Sequence, residues 1–388
     1  MQIKRDVLEY KDALKTLNIS ATKSTKTNWA VNIFLWAKHQ ESLTLAAALY
    51  NRINEFKKKV NIILADLDNR GMFIFNWKWF ELCAYPDIFD FAIYHWQMPA
   101  NINWDADGFK KYTNNKMLAS VILKMNWIDV PDEIVFRERH NKSWKSSELM
   151  RYFQNLKNSD KRYVLKPVDE NCWKWVKILT QTELEASSFY DENIAWKKTM
   201  LVQEKVDSFP IYIDWVRKDW NLRTLVTYDL ESEKYKTVWV IGRIDNDGWP
   251  VNVSITADYI SFEEISKLAW WSEEKSNEIL KVVFEIASKS VDVIKNRITK
   301  DKNIFTMQVD QQVLSWVDVI ISRECRPFVI EVNNANSCGV YQLMKFKWLE
   351  SVYPIADSIL TKAIISKDMF DAYNKNKAKK KDKDINIK

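Results

Sequence analysis

The sequence predicts an α+β fold in which a small Rossmann-like α/β domain precedes a set of mixed sheets. Two short apolar runs, Val31–Trp36 and Val60–Ala65, are typical of buried strands, and residues 43–59 between them have apolar side chains at helical spacing. Strand, helix and strand at this spacing favour a parallel βαβ unit. After a polar stretch at 101–115, helices and strands continue with no internal repeat. This order indicates mixed sheets.

The later elements follow from the same kinds of pattern. Helical spacing of apolar residues predicts helices over 116–125, 146–156 and 273–297. Short apolar runs predict strands at 89–95, 132–136, 163–166, 200–204, 222–228, 237–243, 305–309, 317–322 and 328–332.

Composition excludes several classes of protein. With 388 residues, 47% of them apolar and 28% charged, the chain can bury a real core, which excludes a disordered protein, a disulfide miniprotein and a collagen-like repeat. The four cysteines show neither CxxC pairing nor metal-ligand spacing. The start is too charged for a signal peptide and no apolar run has transmembrane length, so we expect a cytoplasmic protein with no membrane span.

The charge of the chain is concentrated at one end. Of the net charge of +6, residues 375–388 contribute seven lysines against Asp382 and Asp384. A basic segment with few apolar residues is typical of a solvated, disordered tail, which we place at 366–388. A contact of this tail with nucleic acid or a membrane is the alternative. The rest of the chain is close to neutral, and we expect that its function requires no nucleic acid.

Tryptophan and glycine occur in unusual numbers. The chain has 19 Trp and 5 Gly, whereas average usage of about 7% would give about 27 Gly. Six tryptophans directly follow Asn or Asp: Trp29, Trp77, Trp104, Trp127, Trp215 and Trp220. Asn-Gly and Asp-Gly are strong turn signals, and Asn-Trp and Asp-Trp are not.

We therefore predict that many of these tryptophans stand where the organism has glycine. A genetic code in which UGA specifies glycine would produce this replacement when the gene is translated with the common table. The prediction requires many of these residues to lie at turns, several with positive φ. The alternative is a genuinely Trp-rich protein with an aromatic binding face.

Three groups of residues carry candidate chemistry. A predicted strand ends at Lys166, and the loop Cys172-Trp173-Lys174-Trp175 follows it. If both tryptophans are glycine, the loop backbone can approach phosphates closely. The alternative is a plain hairpin with a surface lysine.

Arginines and hard oxygen ligands follow on later strands. Arg223 and Arg243 on neighbouring strands could clamp carboxylate or phosphate oxygens, although each alone is more often a surface ion pair. Glu331 and Asn333 alternate on one strand and so share a face, which Asp318 on an adjacent strand can join. Two carboxylates and an amide oxygen suit Mg²⁺ bridging nucleotide phosphates. The alternative here is a solvated sheet face.

In this order the elements resemble the ATP-grasp superfamily, particularly the glutathione-synthetase and RimK-like ligases, over about residues 114–339. The matched segments include Asn115-Lys116 before a helix, Trp127-Ile-Asp-Val-Pro131, Gln203-Glu204-Lys205-Val206, Asn221-Leu-Arg223 and the Asp318, Glu331 and Asn333 set. Asn221 stands where the family has Asp, and no proline follows Asn333. Trp127, Trp173, Trp175 and Trp316 fall where the family has glycine.

The resemblance implies a role for each matched residue. Lys116, Lys166 and the loop Trp173-Lys174-Trp175 would contact phosphates, and Gln203, Glu204 and Val206 would hold adenine. Arg223 and Arg243 would be catalytic and would stabilise the transferring group. Asn252 would face the substrate acyl-phosphate, and Asp318, Glu331 and Asn333 would bind Mg²⁺, with two ions expected.

The resemblance also implies a function and a domain plan. The function is ATP-dependent ligation of a small-molecule or peptide carboxylate to an amine, or to a thiol, through an acyl-phosphate. The alternatives are a degenerate nucleotide-binding or scaffold protein, and a Trp-rich protein that binds glycans or single-stranded nucleic acid. A homo-oligomer is left open. The plan is an extension at 1–27, a pre-ATP-grasp Rossmann-like domain at 28–112, a central lid subdomain at 113–206, a C-terminal subdomain with the metal site at 207–365, and the tail at 366–388.

Overall fold

The computed structural model describes most of the sheets and helices that the sequence predicts. It covers residues 30–36, 40–56, 58–65, 72–76, 79–83, 91–93, 115–136, 161–168, 176–180, 182–183, 200–229, 232, 234–245, 258–301, 314–334, 349–361, 363–364 and 367–368. The predicted elements at 146–156 and 305–309, and most of the segment 366–388, lie outside these ranges.

The first sheet has five strands and one connecting helix. Its elements are β1 (Val31–Trp36), α1 (Gln40–Arg52), β2 (Val60–Ala65), β3 (Met72–Asn76), β4 (Trp79–Cys83) and β5 (Phe91–Ile93). The strand order is β4-β3-β2-β1-β5. β1 is parallel to β2 and β5, and β2, β3 and β4 are joined antiparallel.

The parallel pairing of β1 with β2 through α1 is the arrangement that the strand–helix–strand pattern predicts. The antiparallel strands β3 and β4 were not predicted and make the sheet mixed. A Rossmann-like domain over 28–112 stays a prediction, because residues 94–112 lie outside the described ranges.

The second sheet follows α2 (Lys116–Met125) and has four antiparallel strands. They are β6 (Glu133–Phe136), β7 (Arg162–Pro167), β8 (Lys177–Thr180) and β9 (Met200–Glu204), in the order β6-β9-β7-β8. The helix begins where the sequence predicts because the side chain of Asn115 accepts a hydrogen bond from the backbone N of Leu118 at 2.9 Å.

The third sheet is antiparallel and has the order β14-β13-β12-β15-β16. Its region contains the hairpin β10 (Ile211–Ile213) and β11 (Val216–Lys218), then β12 (Trp220–Asp229), β13 (Lys234–Ile244), β14 (Asp258–Ile260), α3 (Phe262–Leu268), α4 (Glu273–Asp301), β15 (Leu314–Ile321) and β16 (Pro327–Asn334). None of the described helices is both long and apolar enough to cross a membrane.

The two faces of the third sheet bury different partners because side chains alternate along each strand. One face, with Leu222 and Val317, packs against α4. The other face, with Ile241 and Trp316, joins a core with β1, α1, β2 and residues 349–363. Residues 353–361 in this segment are helical and were not predicted. By the same alternation, Arg243 and Asp318 lie on the face away from α4.

Three tryptophans occupy left-handed backbone positions at turns. Trp127, Trp215 and Trp270 have φ values of 58°, 65° and 56°, and they are 92%, 95% and 92% exposed. Trp215 and Asp214, whose φ is 49°, form the two-residue loop between β10 and β11. Positive φ at both loop positions is the type I′ hairpin turn, for which Asp-Gly is strongly preferred.

The other two tryptophans with positive φ, Trp127 and Trp270, each lie just after the end of a helix. Trp127 follows the C-cap of α2; its backbone N donates to Lys124 O at 3.1 Å, and the next backbone N donates to Leu123 O at 3.1 Å. Trp270 follows the C-cap of α3; its backbone N donates to Lys267 O at 3.1 Å, and the backbone N of Trp271 donates to Ser266 O at 3.0 Å. This pair is the Schellman motif, whose left-handed residue is usually glycine.

The tryptophans of the strands behave differently. Trp220, Trp239 and Trp316 are buried, and none of them has positive φ. The indole Nε1 of Trp220 donates to Phe209 O at 2.6 Å. The glycine prediction is therefore supported by geometry at the three turns and not at these strand positions.

Candidate functional site

A small cleft lies between α2, the second sheet and β16. The apolar part of its lining includes Leu123, Val130 and Leu201, and the polar part includes the residues taken up below.

Lys166, at the end of β7, is buried in this cleft with two polar partners in series. Its Nζ donates to Gln203 Oε1 at 3.0 Å, and Gln203 Nε2 donates to Glu133 Oε2 at 3.1 Å. Because Glu133 accepts from the amide nitrogen, the amide oxygen of Gln203 is turned towards Lys166. Burial lowers the pKa of the Lys166 ammonium; the charge of Glu331 opposes this shift, and that of Lys116 adds to it.

Lys116 is the first residue of α2 and faces β16. Its Nζ lies 3.6 Å from Glu331 Oε1. Its backbone N donates to Val168 O at 2.9 Å, which fixes the start of α2 against the end of β7. The fold thus brings both predicted phosphate-binding lysines to one cleft, with a predicted metal ligand beside them.

The predicted arginines meet at Asp318 on the third sheet. Arg223 and Asp318 are cross-strand neighbours, and Arg223 Nε and Nη2 donate to the two carboxylate oxygens at 2.9 and 3.0 Å. Nη2 of Arg243 lies 2.9 Å from Asp318 Oδ2, and its Nε donates to Asn221 Oδ1 at 2.8 Å. The amide oxygen of Asn221 thus supplies the acceptor at the position where the ATP-grasp pattern has Asp.

The two arginines determine the protonation of Asp318. Burial alone would raise the pKa of this carboxyl, but the charges of Arg223 and Arg243 and their hydrogen bonds outweigh it and lower the pKa to about 2. Asp318 is therefore ionised at neutral pH. The Arg223 guanidinium also lies 5.9 Å from the centre of the Trp316 ring, a cation–π distance.

The predicted metal ligands lie side by side. Asp318 and Glu331 are cross-strand neighbours on β15 and β16. Asn333 is two residues beyond Glu331 on the same face of β16. The set consists of two carboxylates and one amide, and no three Asp, Glu, His or Cys side chains form a metal-binding group in the described part of the chain.

Two further predicted site residues, Glu204 and Val206, are described by the structure but do not line the cleft. The Glu204 carboxylate pairs with Lys161 Nζ at 2.8 Å, and Val206 is half-buried just after β9. Trp173, Lys174, Trp175 and Asn252 lie outside the described ranges.

Two cleft residues were missed by the sequence reasoning. Glu133 opens an otherwise apolar strand, and Ser120 lies one turn after Lys116 on an otherwise apolar stretch of α2. In each case a polar residue on a buried face was the available signal.

No protein-family profile and no curated protein matches this chain in sequence. Among solved structures, the D-alanine–D-alanine ligase from Coxiella burnetii superposes with a TM-score of 0.50 at 11% identity, over 91% of this chain and 99% of that one. The D-alanine–D-alanine ligase from Bacillus anthracis complexed with ATP gives 0.48 at 13% identity, over 88% and 99%. The D-alanyl-alanine synthetase A from Vibrio cholerae gives 0.47 at 11%, over 86% and 99%.

The similarity to the Coxiella burnetii structure concerns the fold. D-alanine–D-alanine ligases are ATP-grasp enzymes, so the resemblance to the ATP-grasp superfamily is confirmed at the level of the fold. The mixed helices and sheets of the prediction are confirmed with it.

Proposed function

We propose that this chain, which has an ATP-grasp fold, is an ATP-dependent ligase that joins a carboxylate to an amine, or to a thiol, through an acyl-phosphate. The observation that carries the proposal is the charged cleft and its continuation on the third sheet. Basic side chains exceed carboxylates there: Lys116, Lys166, Arg223 and Arg243 against Glu133, Asp318 and Glu331. An excess of positive charge suits a polyphosphate.

Phosphate binding would use the two lysines of the cleft. Both now contact oxygen acceptors, Lys116 at Glu331 and Lys166 at Gln203. Phosphate oxygens are stronger acceptors than the neutral amide of Gln203, because an ionised acceptor roughly doubles the strength of a hydrogen bond. Binding of ATP would therefore exchange the Gln203 contact for a charged one.

The chemistry then proceeds in two displacements. A substrate carboxylate oxygen attacks the γ-phosphorus, the bond to the β,γ-bridging oxygen breaks, and ADP leaves with its electron pair. The amine then attacks the acyl carbon of the acyl-phosphate, phosphate leaves, and the amine proton passes to solvent. Arg223 and Arg243 would stabilise the negative charge on the transferring group, since such reactions depend mainly on positioning and charge neutralisation.

The residues of β15 and β16 fit a magnesium site. Mg²⁺ prefers oxygen ligands such as those of Asp318, Glu331 and Asn333, and it requires ionised carboxylates. The lowered pKa of Asp318 meets that requirement, although both oxygens of Asp318 also accept hydrogen bonds from arginine. One or two Mg²⁺ ions bound there would offset the charge of the triphosphate.

A specific observation favours the second candidate, a nucleotide-binding protein without ligase activity. Asp318 receives hydrogen bonds from two arginines, so a metal ion would compete with them for its oxygens. Mg-dependent nucleotide binding without turnover would agree with this alternative.

The proposed function is tested by ADP release with Mg-ATP and a panel of carboxylates and amines, beginning with D-alanine as both substrates. We expect ADP release that requires both a carboxylate and an amine, and a ligated product identified by mass spectrometry. Glu331→Gln should abolish the release with the fold retained. Nucleotide binding without ADP release over the whole panel would favour the second candidate, and failure to bind ATP would refute both.

A further inference from the structure

We infer that the Ser120 hydroxyl is a ligand contact in the cleft and forms a hydrogen bond with the nucleotide that Lys116 and Lys166 bind. This inference rests on the proposed function and adds a binding residue to the same site. Ser120 is 6% exposed and lines the cleft from α2.

The hydroxyl of Ser120 is buried without a hydrogen-bond partner in the described part of the chain. A buried serine within a helix can bond back to the carbonyl four residues earlier. Ser266 does this with Phe262 O at 3.0 Å, and Ser290 does it with Ile286 O at 2.6 Å. The equivalent acceptor for Ser120 would be Lys116 O, and Ser120 does not use it.

An unpaired buried hydroxyl destabilises a fold, so its presence calls for a physical reason. Its neighbours Ala119, Ile122 and Leu123 are buried and apolar, and alanine at position 120 would suit them better. A polar atom supplied by a ligand in the cleft gives the hydroxyl its missing partner.

The position of Ser120 identifies the class of ligand. It lies four residues after Lys116, so the two side chains share one face of α2 and line the same cleft. Glu133, Gln203 and Lys166 supply the polar lining from the second sheet. A molecule that contacts both lysines would pass within reach of the hydroxyl, which can donate to or accept from a phosphate, a ribose or a base.

The inference predicts opposite effects of Ser120→Ala on stability and on affinity. In the free protein the variant should be at least as stable as the wild type, because an unpaired hydroxyl is removed from an apolar site. Its dissociation constant for ATP should rise about fivefold, the usual effect of one lost hydrogen bond. A merely structural role of Ser120 would not combine these two changes.

The experiment measures urea unfolding and calorimetric binding of ATP, adenosine and inorganic triphosphate for the full chain. Ser266→Ala is the matched control, because it removes a buried helical hydroxyl outside the cleft, and its ATP affinity should equal that of the wild type. Weakened binding of adenosine places the contact at the nucleoside, and weakened binding of triphosphate places it at the phosphates. Unchanged affinity for all three in Ser120→Ala overturns the inference alone. A wild type that binds none of them refutes the proposed function.

Discussion

Replacement of the exposed turn tryptophans by glycine should leave the protein as stable as it was or make it more stable. The perturbation is Trp127→Gly, Trp215→Gly and Trp270→Gly, singly and together. Each residue has a φ between 56° and 65°. For a residue with a Cβ atom, this conformation costs about 1–2 kcal/mol, and glycine avoids that cost.

Two smaller effects act in the opposite direction. Each residue is at least 92% exposed, so loss of the indole removes roughly 20 Å² of buried area, or about 0.5 kcal/mol. Glycine also increases the entropy of the unfolded chain, which costs about 0.4–1 kcal/mol. The net gain is about 0.3 kcal/mol for each site, and about 1 kcal/mol for the triple variant if the three turns act independently.

The assay is urea unfolding of the four variants against the wild type, with Trp220→Gly as the contrasting control. Trp220 also follows an acidic residue, but it is buried and its indole nitrogen donates to Phe209 O. Its replacement should cost about 3–5 kcal/mol or more. A turn variant that is less stable than the wild type by about 1 kcal/mol or more would contradict this expectation. Peptide mass spectrometry of the protein from its own organism would then identify the native residue at each turn.

Three further predictions concern the site. The ionised carboxylate of Asp318, whose pKa is about 2 and not the ordinary 3.8, stabilises the fold above pH 3.8. This stabilisation should disappear as the pH falls towards 2. When urea unfolding is measured at decreasing pH, the free energy of unfolding should fall by about 2 kcal/mol from this group. The free energy of unfolding should depend less steeply on pH in Asp318→Asn. Glu133→Ala frees the Gln203 amide to turn its nitrogen towards Lys166, which removes the contact that ATP would displace, so KM for ATP should fall about fivefold while the midpoint of thermal unfolding is kept; an unchanged or raised KM would contradict this exchange. Arg243→Lys removes a guanidinium that spans Asn221 and Asp318, so kcat for ligation should fall at least about a hundredfold with ADP affinity retained, and a fall of less than about tenfold would exclude a catalytic role.

Local patterns determined the elements whose signals lie within one stretch of chain. The bounds of β1, β2, α2 and β9 agree with the apolar runs that predicted them, because burial of one face imposes a periodicity on the residues themselves. The hairpin of β10 and β11 was missed because each of its strands has only three residues, too few to show a periodic pattern, although Asp214-Trp215 was among the predicted glycine turns. Sequence also could not separate Trp215 at a turn from Trp220 in a strand, since both follow aspartate.

Motif spacing predicted most of the charged groups of the site and their order along the chain: Lys116, Lys166, the arginines, and then Asp318 and Glu331. Only the tertiary structure decided their partners. Lys166 meets Gln203 across 37 residues, Gln203 meets Glu133 across 70, and Arg223 meets Asp318 across 95. The periodicity of apolar residues in the sequence indicates only which face of its own helix or strand a residue occupies. The register between strands, and therefore the neighbour across the sheet, is decided by packing of the whole core.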